Sequence, residues 1–579
     1  MANDTVGAPW ARRMGRWAPG IHAVRTYRRA WLRRDLIAAI VLSALLVPQG
    51  MAYAELAGLP AITGLYATVM CLLAYAIFGP SPYLVLGPDS SLGPIIAALI
   101  LPLAAGSEQE AVSLAAMLAL LVGAIAIGGG LARLGFVSDL LSQPVRIGYM
   151  AGLALVIIVS QLPSLLGITI EGDGIVTDLS AILGALEQTD VATLLIGLLA
   201  LGIIVGARWW RPEVPGILVA VIVTMVLSAL LDLADQGVAV VGVLPQGFPR
   251  PAIPTVDPAD LPVLVGGAIG ITLVAVGDTV SVSSGFATRR GRELDTDQEI
   301  VAIGAANVAT GLFSGFPIST SSSRTAVADQ AGAKTQLTGL AAALLVLLML
   351  VAVPGLVQWL PLSVLAAIIV VAGASLVDVP RLRRLWHVRR SDFGIALVCL
   401  LGVVFVGVLE GIVIAVLVSV AEIFIRAWRP YSAVLAKPED THGYHDVSRY
   451  PGATRPVGLV ILRWDAPLFF ANSSLFRDRV RALVRSEEEA VRWVLVAAEP
   501  ITDVDTTAAD MLVRLDEELN AEGIHLAFAE LKDPVRDKLD RYSVYDTIDP
   551  AHFYPTIKTA VRAYRAETGA DQTRSVAQS

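Results

Sequence analysis

Apolar runs of membrane length fill the chain as far as about residue 429 and then stop. A bilayer-spanning helix needs about 20 mostly apolar residues. Runs of that kind lie near 36–54, 61–79, 112–131, 146–166, 191–207 and 214–231, and again near 262–286, 298–314, 336–353, 362–378, 391–409 and 411–428. Two further segments, about 88–103 and 318–332, are too short or too polar to cross alone, and each begins beside a proline and serines. They read as half-helices.

The basic residues test this count, because cytoplasmic loops are enriched in arginine and lysine. With both short segments counted as crossings, Arg133, Arg146, Arg208, Arg211, Arg289, Arg290, Arg292, Lys334, Arg381, Arg383, Arg384, Arg389 and Arg390 all fall on the N-terminal side. The opposite loops carry Glu108, Glu110, Glu171, Asp173, Glu187 and Asp190, with Arg250 the basic exception. Omitting either short segment scrambles the partition. The pattern therefore predicts an α-helical polytopic membrane protein of 14 membrane segments with both termini cytoplasmic. Fourteen divides into a 7+7 inverted repeat, and the interrupted helices are then the third of each half. Paired interruptions at matching positions point to a transporter whose site lies near the bilayer midplane.

After Arg429 the periodicity changes. "RPVGLVILRW", "VRWVLVAAEP" and "IHLAFAEL" are short strand-like runs, and "NSSLFRDRVRALVRSEEE" and "DTTAADMLVRLDEELN" have helical spacing. Strands alternating with helices predict a small soluble α/β domain. The expected organisation is a basic cytoplasmic segment over 1–35, a transmembrane domain over 36–429, a linker over 430–454, the α/β domain over 455–565 and a disordered tail over 566–579.

Composition agrees with the pattern. Of 579 residues, 55% are hydrophobic and 16% charged, and the mean hydropathy is +0.67, outside the range of average soluble chains. The net charge of -8 is uninformative, since eight arginines crowd into the first 35 residues and acids dominate the end. Cys71 and Cys399 both lie in apolar runs and suggest neither a disulfide nor a thiolate metal site. None of the six histidines falls in an apolar run, which disfavours an intramembrane imidazole relay or metal centre. There is no G-x-x-x-x-G-K-[ST] loop and no nucleophile–base arrangement, so an ATP-driven pump and an enzyme are both disfavoured. Nothing points to a nucleic-acid partner.

The candidate chemistry lies in the two short segments, "LGPDSSLGP" (Leu86 to Pro94) and "GFPISTSSSR" (Gly315 to Arg324). Irregular backbone at membrane depth survives where it lines a protein cavity. Pro88 and Pro317 suit helix starts, and Asp89, Ser90, Ser91 and the hydroxyls from Ser319 through Ser321, Ser322 and Ser323 supply caps and donors. Two helix N-termini aimed at one another would offer free N–H groups and positive dipole ends to an anion. Arg324 would add a full positive charge, or would neutralise a buried carboxylate. Asp278, within "LVAVGDTVSVSSGF", is the strongest acidic candidate: it could take up a proton, help bind a sodium ion, or simply neutralise Arg324. Glu55, Glu410 and Glu422 lie near span ends and read as interfacial. In the soluble domain, Asp505, Thr506 and Thr507 read as a helix N-cap, with a regulatory phosphoacceptor or nucleotide-responsive surface as the sharper alternative.

These stretches, together with "LLVPQGMAYAELAGLPAITGLYA", "SQPVRIGYMAGLALVIIVSQL" and "PITDVDTTAAD", resemble the SulP anion permeases, which join a fourteen-segment membrane domain to a cytosolic STAS domain. The resemblance implies a core and a gate, a substrate held between the third and tenth segments, and elevator-like movement in a homodimer. Carried onto this chain, it implies contacts from Pro88 to Ser91 and from Ser321 to Ser323, with Arg324 nearby and Gln49 and Tyr53 lining the site. Many proton-coupled bacterial members have glutamate where this chain has Asp278. A shorter acid there is similar to the sodium-coupled bicarbonate branch, in which a hydroxyl follows four residues later; here that position is Val282. The coupling cation, H+ or Na+, stays open.

The expectation is a secondary transporter of sulfate, bicarbonate or a dicarboxylate in the cell inner (plasma) membrane, driven by a cation gradient and needing no other cofactor. Competing expectations are a channel-like anion conductor or exchanger, and a membrane sensor signalling to a regulatory protein or nucleotide through the STAS domain. A nucleobase permease of related fold suits an arginine beside two helix N-termini less well.

Overall fold

The structure is a computed structural model that describes residues 19–20, 27–133, 142–170, 175–210, 214–248, 250–289, 295–439, 441–450, 452–570 and 573–575. The expectations for Arg211, Arg290, Arg292, Glu171, Asp173 and most of the 1–35 segment lie outside these residues. The chain divides into two compact units at Ser419/Val420.

In the membrane unit each of the fourteen expected segments is helical, and the order places the site. The first repeat runs α1 (Leu32–Leu56), α2 (Ala61–Phe78), β1 (Leu86–Gly87), α3 (Gly93–Ala104), α4 (Glu108–Leu131), α5 (Gln143–Leu166), α6 (Ile175–Ala185), α7 (Val191–Trp210) and α8 (Gly216–Leu230). The second runs α9 (Leu261–Arg289), α10 (Thr296–Leu312), β2 (Ser319–Thr320), α11 (Ser322–Gln330), α12 (Leu337–Ala352), α13 (Leu362–Leu376), α14 (Val379–Val388), α15 (Arg390–Phe405) and α16 (Val408–Trp428). Short α6 and α14 are additions to the expected set. Among the described residues seven helices are long and apolar enough to cross a membrane.

Two bundles are visible in the packing. Helices α1 to α4 associate with α9 to α12, and α5, α7 and α8 associate with α13 and α15. With little hydrophobic force between helices in lipid, close approach depends on small residues. Helices α1 and α2 meet so tightly at Gly50 and Gly64 that a Cβ on Gly64 would stand 1.8 Å from the Gly50 carbonyl oxygen.

The soluble unit contains a six-stranded sheet of order β4-β3-β6-β7-β8-β9, from β3 (Ser432–Ala436), β4 (His445–Asp446), β6 (Leu459–Trp464), β7 (Trp493–Ala497), β8 (His525–Ala529) and β9 (Phe553–Tyr554). β6 through β9 are parallel, while β3 pairs antiparallel with both β6 and β4. Alternation along β6 sends Val460, Leu462 and Trp464 to one core, with Phe476 of α17 (Ser473–Ser486) and Leu512 of α18 (Thr506–Ala521), and Leu459 and Ile461 to the other, with Tyr564 of α20 (Ile557–Thr568). Helix α19 (Asp533–Arg541) contributes Val535 and Leu539 to the first core.

Two boundary expectations are corrected. The 430–454 stretch is not a linker, because β3 supplies a full strand to the sheet and buries Ala433 and Leu435. The chain end is not without structure either: β10 (Thr573–Ser575) pairs antiparallel with β5 (Thr454–Pro456). Both are short and flanked by polar residues, so neither carries enough alternation to be read as a strand.

Candidate functional site

The two interrupted segments meet. β1 and β2 pair antiparallel, with Leu86 opposite Thr320 and Gly87 opposite Ser319, and each strand leads within a few residues into a short helix, α3 or α11. Two helix N-termini thus leave one small sheet shared by the two repeats.

The unwound backbone around this sheet must be satisfied locally, since lipid offers it no partner. Gln336 donates through Nε2 to the carbonyls of Ser81 (2.8 Å) and Leu84 (2.9 Å). Asn307 accepts from the Ile318 amide at 2.9 Å and donates to the Ile318 carbonyl at 3.2 Å. The Val85 amide donates to Thr325 Oγ1 at 3.1 Å, and the Ser321 amide to the Val85 carbonyl at 3.3 Å. Sequence reasoning passed over Gln336 and Asn307, although each is an amide side chain beside or inside an apolar run, which is costly unless it has backbone to serve.

The prolines do not start the helices as expected. Pro88 precedes Gly93, the first residue of α3, by five positions, and Pro94 takes the first-turn place. Pro317 stands before β2, and α11 begins at Ser322 with Ser321 as its N-cap, accepting from the Arg324 amide at 3.4 Å. After Pro317 the physical reason is the strand pair, which draws Ser319 and Thr320 into backbone pairing across the repeats before a helix can begin; Pro88 instead follows β1, and a turn closed on Asp89, which accepts from the amides of Ser91, Leu92 and Gly93, intervenes before α3. Of the hydroxyl run, Ser319 and Thr320 are strand residues; Ser319 Oγ lies 3.5 Å from the Ala275 carbonyl and Thr320 Oγ1 2.9 Å from Thr279 Oγ1. Ser321 Oγ lies 2.9 Å from Ser323 Oγ, and Ser322 and Ser323 are exposed.

The polar centre is compact. Arg324 is fully buried and lies 3.6 Å from Asp89 through Nη2, which also donates to the Gly87 carbonyl at 3.4 Å. Its neutralising carboxylate is therefore Asp89 and not Asp278. Arg324 Nε and Nη1 are buried without a hydrogen-bond partner, an expensive arrangement for a charged group. Asp89 Oδ1 accepts from the Ser91 amide (3.0 Å) and Ser91 Oγ (2.8 Å), and Ser91 Oγ also lies 3.3 Å from Asp278 Oδ2. Tyr53 is buried on α1 within electrostatic reach of Asp89 and Arg324 and close to Ser90. Gln49 is buried one turn earlier on α1, just past Pro48 inside that helix, and its Oε1 has no partner. Thus Tyr53, Asp89, Ser90, Ser91, Asp278, Ser321 and Arg324 are tied into one polar region.

Two residues of α5 face this centre from the other bundle. Arg146 donates through Nη1 to Ser281 Oγ at 2.6 Å and its charge acts on Asp278. Tyr149, one turn on, is buried with an unpartnered hydroxyl within electrostatic reach of Asp278. Arg146 was legible in the sequence merely as a loop charge. A separate cavity of about 720 Å³, lined by Glu55, Thr63, Tyr66 and Glu108 among others, contains none of these site residues.

In the soluble unit Asp505 is the N-cap of α18: it accepts from the amides of Ala508 and Phe470, each at 2.8 Å, and Thr506 and Thr507 stand exposed beside it. Neighbouring Asp503 pairs with Lys538, and that hydrogen bond holds its carboxyl below the ordinary range.

Comparison with known proteins decides what this architecture is. Residues 32–399 match the Sulfate permease family and residues 450–560 match the STAS domain. The chain belongs to the sulfate permease family. A Mycobacterium tuberculosis protein named "Probable sulfate transporter MT1781" is 41% identical over 549 residues, covering 95% of this chain and 98% of that one. "Sulfate transporter 4.1, chloroplastic" of Arabidopsis thaliana is 30% identical over 565 residues, covering 94% of this chain and 82% of the relative. Among solved structures, the murine Solute Carrier 26 family member A9 anion transporter in the inward-facing state aligns with a TM-score of 0.89 at 25% identity, over 98% of this chain and 96% of that one. The fold is that of this family: a helical membrane domain of two seven-segment repeats with core and gate, followed by a STAS domain.

Proposed function

We propose that this member of an anion-transporting family is a cation-coupled secondary transporter of small oxyanions, with sulfate first among the candidates and bicarbonate or a dicarboxylate next. The observation that carries the reading is the orphaned guanidinium of Arg324, buried beside two helix N-termini with Nε and Nη1 unpaired. An anion would supply the missing acceptors, and helix N-termini favour negative charge. Pro88 to Ser91 and Ser321 to Ser323 would offer main-chain and hydroxyl donors, with Gln49 and Tyr53 closing the α1 side. The names carried by the mycobacterial and plant relatives support sulfate.

Asp278 would take up the coupling cation, H+ or Na+. Its contact with Ser91 Oγ supports this, because one hydroxyl then links the cation site to the anion-binding half-helix. Turnover would move the α1–α4/α9–α12 bundle against the other in an elevator-like displacement, in a plasma-membrane homodimer with both termini in the cytoplasm. The exposed threonines beside Asp505 would be the regulatory face of the STAS domain.

The test is an uptake panel in proteoliposomes: labelled sulfate, bicarbonate and succinate, each with an inward proton gradient, an inward sodium gradient, or neither. Concentrative uptake of one oxyanion under one gradient is the expected result. Uptake under neither gradient for any anion, with intact binding, would replace the transporter reading by a sensor, and gradient-independent current would replace it by a channel.

A further inference from the structure

We propose that α14 is an interfacial helix that binds the headgroups of anionic lipids. The helix joins the end of α13 to the start of α15, two membrane segments, so its ten residues lie where the chain turns at the bilayer surface. It is strongly two-faced. Val379, Leu382 and Trp386 recur at i, i+3 and i+7 with Leu385 beside them, while Arg381, Arg383, Arg384 and His387 take the other side.

The apolar face is not consumed by the protein. Val379 is 61% exposed and Trp386 50%, while Leu382 and Leu385 beside them are half-buried. A tryptophan and aliphatic side chains on one face with arginines on the other is the pattern of helices that lie in the headgroup layer. By the alternation of the fourteen segments, α7 ends on the same side as α13, with Arg208 and the almost fully exposed Trp209 and Trp210, the composition of an aromatic–cationic interface.

The charges commit the surface to an anion. Five arginines lie between 381 and 390, and two carboxylates answer them: Asp378 pairs with Arg381 at 3.0 Å and Asp392 with Arg389 at 3.3 Å. Arg383 and Arg384 have no carboxylate partner among the described residues, and Arg390 lies over the Trp386 ring at 5.7 Å, which in turn packs edge-on against Phe393 at 4.9 Å. Two arginines without a carboxylate partner are therefore presented on a helix whose aromatic anchor, Trp386, carries a third, Arg390. The leaflet on the arginine-rich side is the one that carries anionic lipid, and each basic residue near it contributes about 1 kcal/mol of attraction, roughly fivefold in affinity.

The experiment uses the full chain reconstituted in an equimolar mixture of phosphatidylglycerol and phosphatidylcholine, re-extracted, and examined for retained lipid by native mass spectrometry. Wild type should retain phosphatidylglycerol over phosphatidylcholine, and R383Q/R384Q/R390Q should lose that preference by about fivefold per arginine removed. R383K/R384K/R390K should keep most of it, which separates loss of charge from loss of fold. A control in the soluble domain, R477Q/R479Q/R485Q, should leave it unchanged. No preference in wild type, or equal loss in the control and the α14 variant, would overturn the proposal.

Discussion

Arg324 crosses from the second repeat to the first: its Nη2 lies 3.4 Å from the carbonyl oxygen of Gly87, on the strand that the other half of the membrane unit contributes. A Cβ on Gly87 would stand 2.7 Å from Arg324 Nη1, so the guanidinium would have to shift to admit it. Gly87→Ala should therefore push the guanidinium out of register while leaving its charge in place, and Arg324→Gln should remove the charge itself. Both should weaken sulfate binding to purified protein by about tenfold or more, the scale of a lost charge-assisted hydrogen bond of about 1.5–3 kcal/mol. Calorimetric titration reads the affinity. Full affinity in both variants would make Arg324 a strut between the repeats and no ligand group.

The coupling role proposed for Asp278 can be tested apart from anion binding. Asp278→Asn keeps the side-chain shape and an oxygen within reach of Ser91 Oγ but cannot bind a proton as a carboxylate does or neutralise a sodium ion. Concentrative uptake should fall to background in proteoliposomes while anion-for-anion exchange persists. Gradient-driven uptake at the wild-type rate would remove Asp278 from the coupling role.

Much of this arrangement could be read before any coordinates. The fourteen segments were legible because a bilayer imposes length and apolarity on every crossing, and the site was legible because polar residues at that depth are expensive. What escaped was geometry made by pairing. The residues after Pro88 and Pro317 suit helix starts, but a turn closed on Asp89 delays the first helix and cross-repeat strand pairing, which leaves no periodic signal over two residues, delays the second. Arg324 reads in the sequence as needing a carboxylate, and Asp278 is the one the sequence offers; Asp89, which reads there as a helix cap, is the carboxylate that the three-dimensional register places at 3.6 Å. Arg146 sits at a span end, indistinguishable in the sequence from any loop arginine; its hydrogen bond to Ser281 of α9 sets it apart.

That hydrogen bond makes its own prediction. Arg146 Nη1 donates to Ser281 Oγ at 2.6 Å between helices of the two bundles, so the elevator-like displacement proposed above would break this bond once per cycle. Ser281→Ala removes the bond and keeps the charge that acts on Asp278; Arg146→Gln removes both. Ser281→Ala should change the maximal transport rate by up to about fivefold with little change in KM, as expected for an exposed contact of about 1 kcal/mol. Arg146→Gln should in addition shift the dependence on the coupling cation. If the two substitutions add independently in the double variant, the bond is not part of the cycle.

Asp516 offers a test in the soluble domain. It is a buried carboxylate on α18 that accepts from Asn520 Nδ2 at 2.8 Å, and burial pushes its pKa up from 3.8 to about 6, against the smaller opposing effects of Asn520 and His525. Because the folded-state value is raised, the folded state holds this proton more tightly than the unfolded state does. Stability from this group is therefore complete below about pH 4 and is lost as pH rises through about 6. Asp516→Asn removes the ionisation while keeping an oxygen for Asn520. At pH 7.5 the variant should be more stable by about 1–2 kcal/mol, a figure discounted for partial screening, and the gap should close between pH 6 and pH 4. Hydrogen exchange of full-length protein, followed on peptides from β7 and α18, measures this domain without interference from the membrane unit. A stabilisation that does not vary with pH would assign the effect to packing, and a destabilisation at pH 7.5 would show that the carboxylate itself is wanted there.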